Sequence, residues 1–242
     1  MRVMYVASEA TPFIKSGGLA DVIGSLPKET AKKDVESIVV IPKYQDMKFV
    51  DQIEYVTNFD IYMGRRKRYC GIFKAEVDGV TFYFIDNEQY FGRPGLYGYD
   101  DDYERFAFFD FAVLELISHL NIKPDVLQLN DWQTAMIPVY YDIFYKYRQG
   151  YEKIKTIYTI HNIQYQGVYG KEIISELMGI PTYYTNLLDY DGCVNLMKGA
   201  IETADCVTTV SPTYAKEILD PWFSYGMDRE LVRRQDGIRG IL

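Results

Sequence analysis

The stretch FIKSGGLADVIGSLP, Phe13 to Pro27, sets Lys15 beside Gly17 and Gly18 and brings Asp21 in at what reads as the start of a helix. Paired glycines at a helix entrance let backbone N–H groups approach an anion closely, and the helix dipole adds to the attraction. The spacing does not match G-x-G-x-x-G, and the lysine precedes the glycines, so neither a dinucleotide fingerprint nor a P-loop fits. Two readings remain on the pattern alone: a phosphate cradle, or a tight turn with a solvated lysine.

LNDWQTAMIP places Asn130, Asp131 and Trp132 directly after an apolar run, with Thr134 and Ala135 in the first helical turn. Asp131 suits binding of sugar hydroxyls, but capping the helix is the commoner use of Asp at such a place. Trp132 suits stacking on a sugar or, more commonly, packing. In YTIHNIQYQG, His161 and Asn162 close another apolar run. His161 there is a hydroxyl partner or proton carrier, or else a core histidine with both nitrogens satisfied. His119, late on an apolar helix, reads as structural. Two histidines exclude a His-rich metal site. Cys70, Cys193 and Cys206 share no metal-ligand spacing and read as reduced, mostly buried thiols. No metal and no cofactor are expected.

The elements that must hold these residues are a parallel sheet and its helices. Apolar runs at Val3 to Ala7, Ser37 to Pro42, Val126 to Leu129, Lys155 to Ile160 and Cys206 to Val210 alternate with stretches of helical period, such as Tyr103 to Leu120 and Trp132 to Tyr147. That alternation predicts a doubly wound, Rossmann-like α/β fold with a mostly parallel sheet. An inserted β-hairpin is predicted over Arg68 to Asp86, turning at Asp78-Gly79. NEQYFGRPGLYGYDDDYERF reads as a long loop, the kind that often carries function. Ser211 with Pro212 reads as a helix start. In such a sheet ligands sit outside the carboxyl ends of the strands, so the loops bearing Lys15, Asp131, His161 and Ser211 should converge on one edge.

Composition narrows the partners. A chain of 242 residues, 48% hydrophobic and 25% charged, is that of an ordinary globular domain, and one domain over 1–242 is the default. A net charge of −8 and no basic run longer than RRKR, Arg65 to Arg68, make nucleic acid an unfavourable partner. That tetrad reads as a solvated edge or loop. The apolar stretch at the N-terminus is too short for a signal peptide and no segment approaches a bilayer span, so a cytoplasmic protein without membrane partners is expected. The 23 tyrosines suit sugar binding but equally suit half-buried strands and helices. The final GIRGIL lacks a terminating signal, which suggests a boundary there.

Taken together, VMYVASEATPFIKSGGLADVIGSLPK, VIPKY, YFGRPGLYGYDDDYERFAFF, LQLNDWQTAMIPVYY, YTIHNIQYQGVY and NLMKGAIETADCVTTVSPTYAKEI resemble, in order and spacing, the bacterial glycogen and plant starch synthases. The resemblance covers nearly the whole chain and implies the N-terminal half of a two-domain GT-B glycosyltransferase. It implies metal-independent, configuration-retaining transfer of glucose, with ADP-glucose as donor and an α-1,4-glucan as acceptor. By motif, Lys15 and the Gly17 and Gly18 amides would face the donor diphosphate, with Asp21 completing that contact. Asp131, His161 and Asn162 would hold the donor glucose, and Tyr97 would line the cleft. The pattern departs from many relatives at Gln128, where they carry His, and before the second strand, where a Gly-His is lacking. Relatives continue past RGIL into a C-terminal domain that completes the donor site, so this half is expected to be inactive alone. A non-catalytic glucan-binding or regulatory module on the same fold is the alternative.

Overall fold

The first apolar run becomes the middle of the sheet. The structure, a computed structural model, describes every residue except Arg65, Leu177, Met178, Gln235 and Asp236. Strand β1 (Arg2–Val6) is followed by α1 (Gly18–Ala31), β2 (Glu36–Pro42), β3 (Glu54–Met63), β4 (Arg66–Val77) and β5 (Val80–Asp86). Then come α2 (Glu88–Phe91), α3 (Asp102–His119), β6 (Val126–Asn130), α4 (Met136–Tyr140) and β7 (Lys155–Ile160). The last third holds β8 (Val168–Tyr169), α5 (Ile173–Glu176), β9 (Asp189–Tyr190), β10 (Cys193–Asn195), α6 (Leu196–Thr203), β11 (Cys206–Thr209), α7 (Pro212–Glu217), α8 (Asp228–Arg233) and β12 (Ile238–Gly240).

Among the described residues nine strands form one sheet in the order β12-β11-β7-β6-β1-β2-β5-β4-β3, while β8, β10 and β9 form a small sheet of their own. Pairing is parallel throughout the large sheet, except that β4 is antiparallel to β3 and to β5. β1 lies between β2 and β6 and is parallel to both. The chain therefore leaves β1 toward one edge and later returns to the other side of it. That reversal opens a crevice at the carboxyl ends of β1 and β6. Val3 to Val6 are all buried, because helices cover both faces of a central parallel strand.

The hairpin forms as its turn residues require. Asp78 and Gly79 have φ of 52° and 78°, the positive pair of a type I′ turn. β5 pairs with β2 in parallel, so the hairpin extends the main sheet rather than standing apart from it. β3, at the edge, was not foreseen. Its exposed outer face breaks the apolar run, and only Phe59, Ile61 and Met63 alternate inward. Arg66 and Arg68 of the basic tetrad pair with Glu104 at 2.8 and 3.2 Å and Lys67 pairs with Asp60 at 2.9 Å; Arg65 lies outside the described residues.

Four expectations are corrected. Trp132 to Tyr147 is not one helix: a 3₁₀ turn over Trp132–Thr134 leads into α4 and then into a π-helical turn over Tyr141–Tyr145. Pro138 has no N–H to return to the Thr134 carbonyl, which breaks the α-helical ladder at its start. The long loop after β5 begins with the short helix α2, capped by Asn87, whose side chain accepts from the Tyr90 N–H. GIRGIL is not irregular chain: it supplies β12, hydrogen-bonded beside β11. Finally, only Cys70 of the three free thiols is buried, and its burial pushes that thiol up.

α1 must approach the loop after β1 closely, and Gly24 permits it. The Thr11 N–H donates to the Ala20 carbonyl at 3.0 Å, and a Cβ at Gly24 would collide with the Thr11 hydroxyl and stand 2.8 Å from its carbonyl oxygen. Gly24→Ala gains about 1 kcal/mol of helix propensity and loses about 1–3 kcal/mol to overpacking against backbone that has no room to yield. A lowered urea midpoint with an unchanged m-value is the expected result.

Candidate active site

The loop between β1 and α1 folds back around a buried carboxylate. Glu9, only 4% exposed, accepts at Oε2 from the Ser16 backbone N–H and, at 3.3 Å, from the Gly17 N–H, while Oε1 takes the Ser16 hydroxyl at 3.0 Å. An internal anion thus fills part of the amide cradle. No side chain caps α1, so the N–H groups of its first turn, beginning at Gly18, remain for whatever enters the crevice. Lys15 lies at the rim, where its Nζ pairs with Asp21 Oδ2 at 2.6 Å, both side chains half exposed.

Asp131 does not cap the helix after it. Its backbone sits at φ 57°, a conformation that costs a non-glycine residue about 1–3 kcal/mol and turns the side chain toward the next loop. There Oδ1 accepts the His161 N–H at 2.8 Å and the Asn162 N–H at 3.3 Å. One carboxylate therefore ties the loop after β6 to the loop after β7. Burial pushes the Asp131 carboxyl up to about 7, against the opposing pull of those two backbone donors. Burial also lowers the His161 imidazole to about 4, so the ring is neutral at neutral pH.

Behind them lies a layer of amides and hydroxyls. His161 Nε2 is 2.8 Å from Asn130 Oδ1, and Asn130 is wholly buried. Thr134 fastens the same turn, its Oγ1 accepting from the Asn130 N–H at 2.7 Å. Asp110, buried in the middle of α3, accepts the Met136 N–H at 2.9 Å and so anchors the start of α4. Its carboxyl is held far above the usual range by burial.

The third wall comes from the loop ahead of α3. Arg105 is fully buried, pairs with Asp102 Oδ1 at 2.7 Å, and donates to the carbonyls of Tyr90, at 3.3 Å, and Leu96. Asp102 Oδ2 in turn takes the Gly98 N–H at 2.9 Å. Held from both sides, Tyr97 places its hydroxyl 2.7 Å from Ser8 Oγ, and burial raises that hydroxyl. Trp132 packs edge-on against Phe106 at 5.2 Å between ring centres.

These walls enclose a cleft of about 890 Å³ at the β1/β6 reversal, lined by Glu9, Gly17, Gly18, Tyr97, Asp102, Asp131, Trp132, His161, Asn162 and Tyr165, among others. Residues 2–233 match the family model described as the starch synthase catalytic domain. The chain is 50% identical to a glycogen synthase of Clostridium botulinum and 44% identical to one of Clostridioides difficile, covering 100% of this chain and 52% of each relative. A solved structure of the catalytic domain of starch synthase IV from Arabidopsis thaliana, bound to ADP and acarbose, superimposes with a TM-score of 0.92 over 99% of this chain and 51% of that one, at 30% identity. The chain belongs to the starch synthase catalytic domain family. It spans about half the length of the curated relatives it matches.

For a starch synthase domain the sequence expectations divide cleanly. Gly17, Gly18, Tyr97, Asp131, His161 and Asn162 converge on the cleft. Lys15 and Asp21 do not line it; they are paired with each other at its mouth. The Gly17 amide is engaged by Glu9, which leaves Gly18 as the freer donor. Ser211 is the helix cap of α7, accepting from the Tyr214 N–H at 3.0 Å. Glu9, Asp102 and Arg105 were missed. Each acts across a loop, and only a buried-charge reading of SEATPF or YDDDYERF could have raised them. Among the described residues no three His, Cys, Asp or Glu side chains converge as a metal site needs, and no helix is long and apolar enough to cross a membrane.

The two displaced pKa values make opposite contributions to stability. Asp131 binds its proton more tightly folded than unfolded, so its contribution falls as pH rises from about 4 through about 7. His161 binds its proton less tightly folded, so its contribution falls as pH drops from about 6.5 toward 4. Asp131→Asn removes the first effect alone. The variant should gain stability relative to the parent between pH 4 and pH 8, by no more than about 4 kcal/mol, as read from urea unfolding at both pH values.

Proposed function

We propose that this domain, within a two-domain protein, transfers glucose from ADP-glucose to the non-reducing 4-hydroxyl of an α-1,4-glucan with retention of configuration. The observation that carries the reading is the convergence of an uncapped 14-residue helix N-terminus with Asp131, His161 and Asn162 on one cleft at the sheet's reversal point. Departure of ADP builds negative charge on the diphosphate, and on this reading the first turn of α1 and Lys15, at the cleft mouth, stabilise it. Asp21, paired with Lys15 at the mouth, completes that contact on the same reading. Asp131 holds the His161–Asn162 loop against the donor glucose, and Tyr97 shapes the wall beside it.

The bond from the anomeric carbon to the diphosphate oxygen breaks, and the acceptor 4-oxygen bonds to that carbon on the same face. The acceptor's proton passes to the departing diphosphate, so no protein nucleophile and no carboxylate pair are needed. ADP as leaving group follows from the family resemblance and agrees with the ADP held by the Arabidopsis domain. A cytoplasmic site of action belongs to the same reading. The relatives are named glycogen synthases, so the non-catalytic alternative is not favoured.

Among the described residues the lining contains Glu9, Asp102 and Asp131 but no Lys or Arg. A diphosphate therefore needs cations from across the cleft, which the second half would supply. Calorimetric titration tests this: the 242-residue chain should bind maltooligosaccharides and take up ADP-glucose weakly or not at all. A full-length form should elongate glycogen from ADP-glucose. Elongation at a normal rate by the isolated chain, or none by the full-length form, overturns the proposal.

A further inference from the structure

Gln128 and Asn130 do not line the cleft, yet their side chains decide what His161 can do in it. A contact between an imidazole nitrogen and an amide is ambiguous until the amide's orientation is known. Here a backbone carbonyl settles it. Val6 O, which can only accept, lies 2.9 Å from Asn130 Nδ2, so Asn130 Oδ1 is the atom turned toward the ring. Gln128 locks that orientation reciprocally, taking Asn130 Nδ2 on Oε1 at 2.8 Å and returning Nε2 to Asn130 Oδ1 at 3.1 Å. Gln128 Nε2 also donates to Thr159 Oγ1 at 2.7 Å, and Thr159 Oγ1 lies 2.8 Å from Thr208 Oγ1.

We propose that the Gln128–Asn130 amide pair fixes His161 as the Nε2–H tautomer, leaving Nδ1 as a bare acceptor that reads ligand hydroxyls and rejects phosphate oxygens. Asn130 Oδ1 has no proton to offer, so the ring nitrogen facing it must carry one. The other tautomer would set two lone pairs against each other around a wholly buried amide, which the buried site disfavours. Nδ1 makes no hydrogen bond with any described residue, and His161 lines the cleft. A sugar hydroxyl can donate to such a nitrogen; an ionised phosphate oxygen cannot. Burial keeps the ring neutral, so it does not become a double donor near neutral pH. Gln128 and Asn130 are thus positioning residues acting through His161. The hydroxyl half of the proposal rests on the cleft being a sugar site; the tautomer half does not.

The chain contains two histidines, which makes the test clean. His119 Nδ1 lies 2.9 Å from the Glu115 carbonyl oxygen, which can only accept, so Nδ1 carries the proton there and the ring serves as an internal reference for the other tautomer. Long-range proton–nitrogen NMR of the labelled chain at neutral pH should show a pyrrole-type Nε2 and an imine-type Nδ1 for His161. Asn130→Leu should speed exchange of the Nε2 proton by about fivefold to tenfold, the loss of one hydrogen bond. Asn130→Asp keeps an acceptor toward the ring but sets a second oxygen against the Val6 carbonyl, so its exchange should be slower than that of Asn130→Leu without returning to the parent rate. Gln128→Leu, which removes only the lock, gives a milder acceleration and serves if Asn130→Leu does not fold. A protonated Nδ1 in the parent, or exchange unchanged in every variant that folds, overturns the tautomer. Adding maltotetraose should shift the Nδ1 resonance while inorganic pyrophosphate leaves it in place; any other response, including none, overturns the hydroxyl assignment. None of these readings depends on glucosyl transfer, so the proposal and the proposed function fail separately.

Discussion

Asp131→Ala, in a full-length form, is expected to lower the rate of glucosyl transfer by at least about a hundredfold. The carboxylate hydrogen-bonds the loop after β6 to the loop after β7, through the backbone N–H groups of His161 and Asn162. Removing it leaves two donors in the cleft without an acceptor, at a cost of about 1–3 kcal/mol each, and frees the residues assigned to the donor glucose. Ala would also inherit the backbone at φ 57° with nothing to hold it there. Asp131→Asn separates two roles. Its Oδ1 still accepts both N–H groups, so if positioning is the function, most activity returns. Loss as deep as in the Ala variant would instead assign the work to the carboxylate's charge or proton. Initial rates of glucose incorporation, with thermal unfolding of the same preparations, distinguish these results.

Lys15→Ala is expected to reduce turnover well over tenfold while leaving the melting temperature nearly unchanged. Lys15 and Asp21 form an exposed pair, and such pairs contribute about 0–1 kcal/mol to stability. On the proposed reaction its value would lie in the transition state, where charge accumulates on the departing diphosphate beside the first turn of α1. Among the described residues the cleft lining holds no Lys or Arg, so Lys15 at the mouth has no replacement there. Turnover within twofold of the parent, with the fold intact, would remove Lys15 from the reaction. Asp21→Asn is informative beside it: the lysine loses its resting partner, and donor affinity should hold or rise, unless Asp21 itself contacts the donor.

Elements that are buried on both faces, or begin with a distinctive turn residue, were legible in the sequence. β1, β2, β6, β7 and β11 are short apolar runs, and the Asp78-Gly79 turn announced its hairpin. β3 was not, because half of its side chains face water and its inward residues alternate with Asn58, Asp60 and Tyr62. The segment from Trp132 kept helical periodicity through three different windings, since the 3₁₀, α and π forms all recur every three to five residues. The candidate site followed the same rule. Asp131 and His161 stood out because polar residues directly followed apolar strands. Asp131's actual bond was invisible, since its partner is the backbone of residues about 30 positions away and carries no sequence signature. Glu9 was passed over for a related reason: its carboxylate faces backbone N–H groups that any residue types could supply.

The strand order also has a consequence for how the molecule is made. On one flank of β1 the sheet grows in chain order, β6, β7, β11 and then β12, each new strand meeting an edge already in place. Synthesis delivers the N-terminal segments first, so on that flank no strand has to wait for a partner made after its neighbour. The cleft residues from Glu9 to Tyr165 all precede β11 and β12, and Val210, directly after β11, completes the lining. Until β11 and β12 arrive, β7 is the open edge of the sheet on that flank, the edge that a chaperone would need to cover.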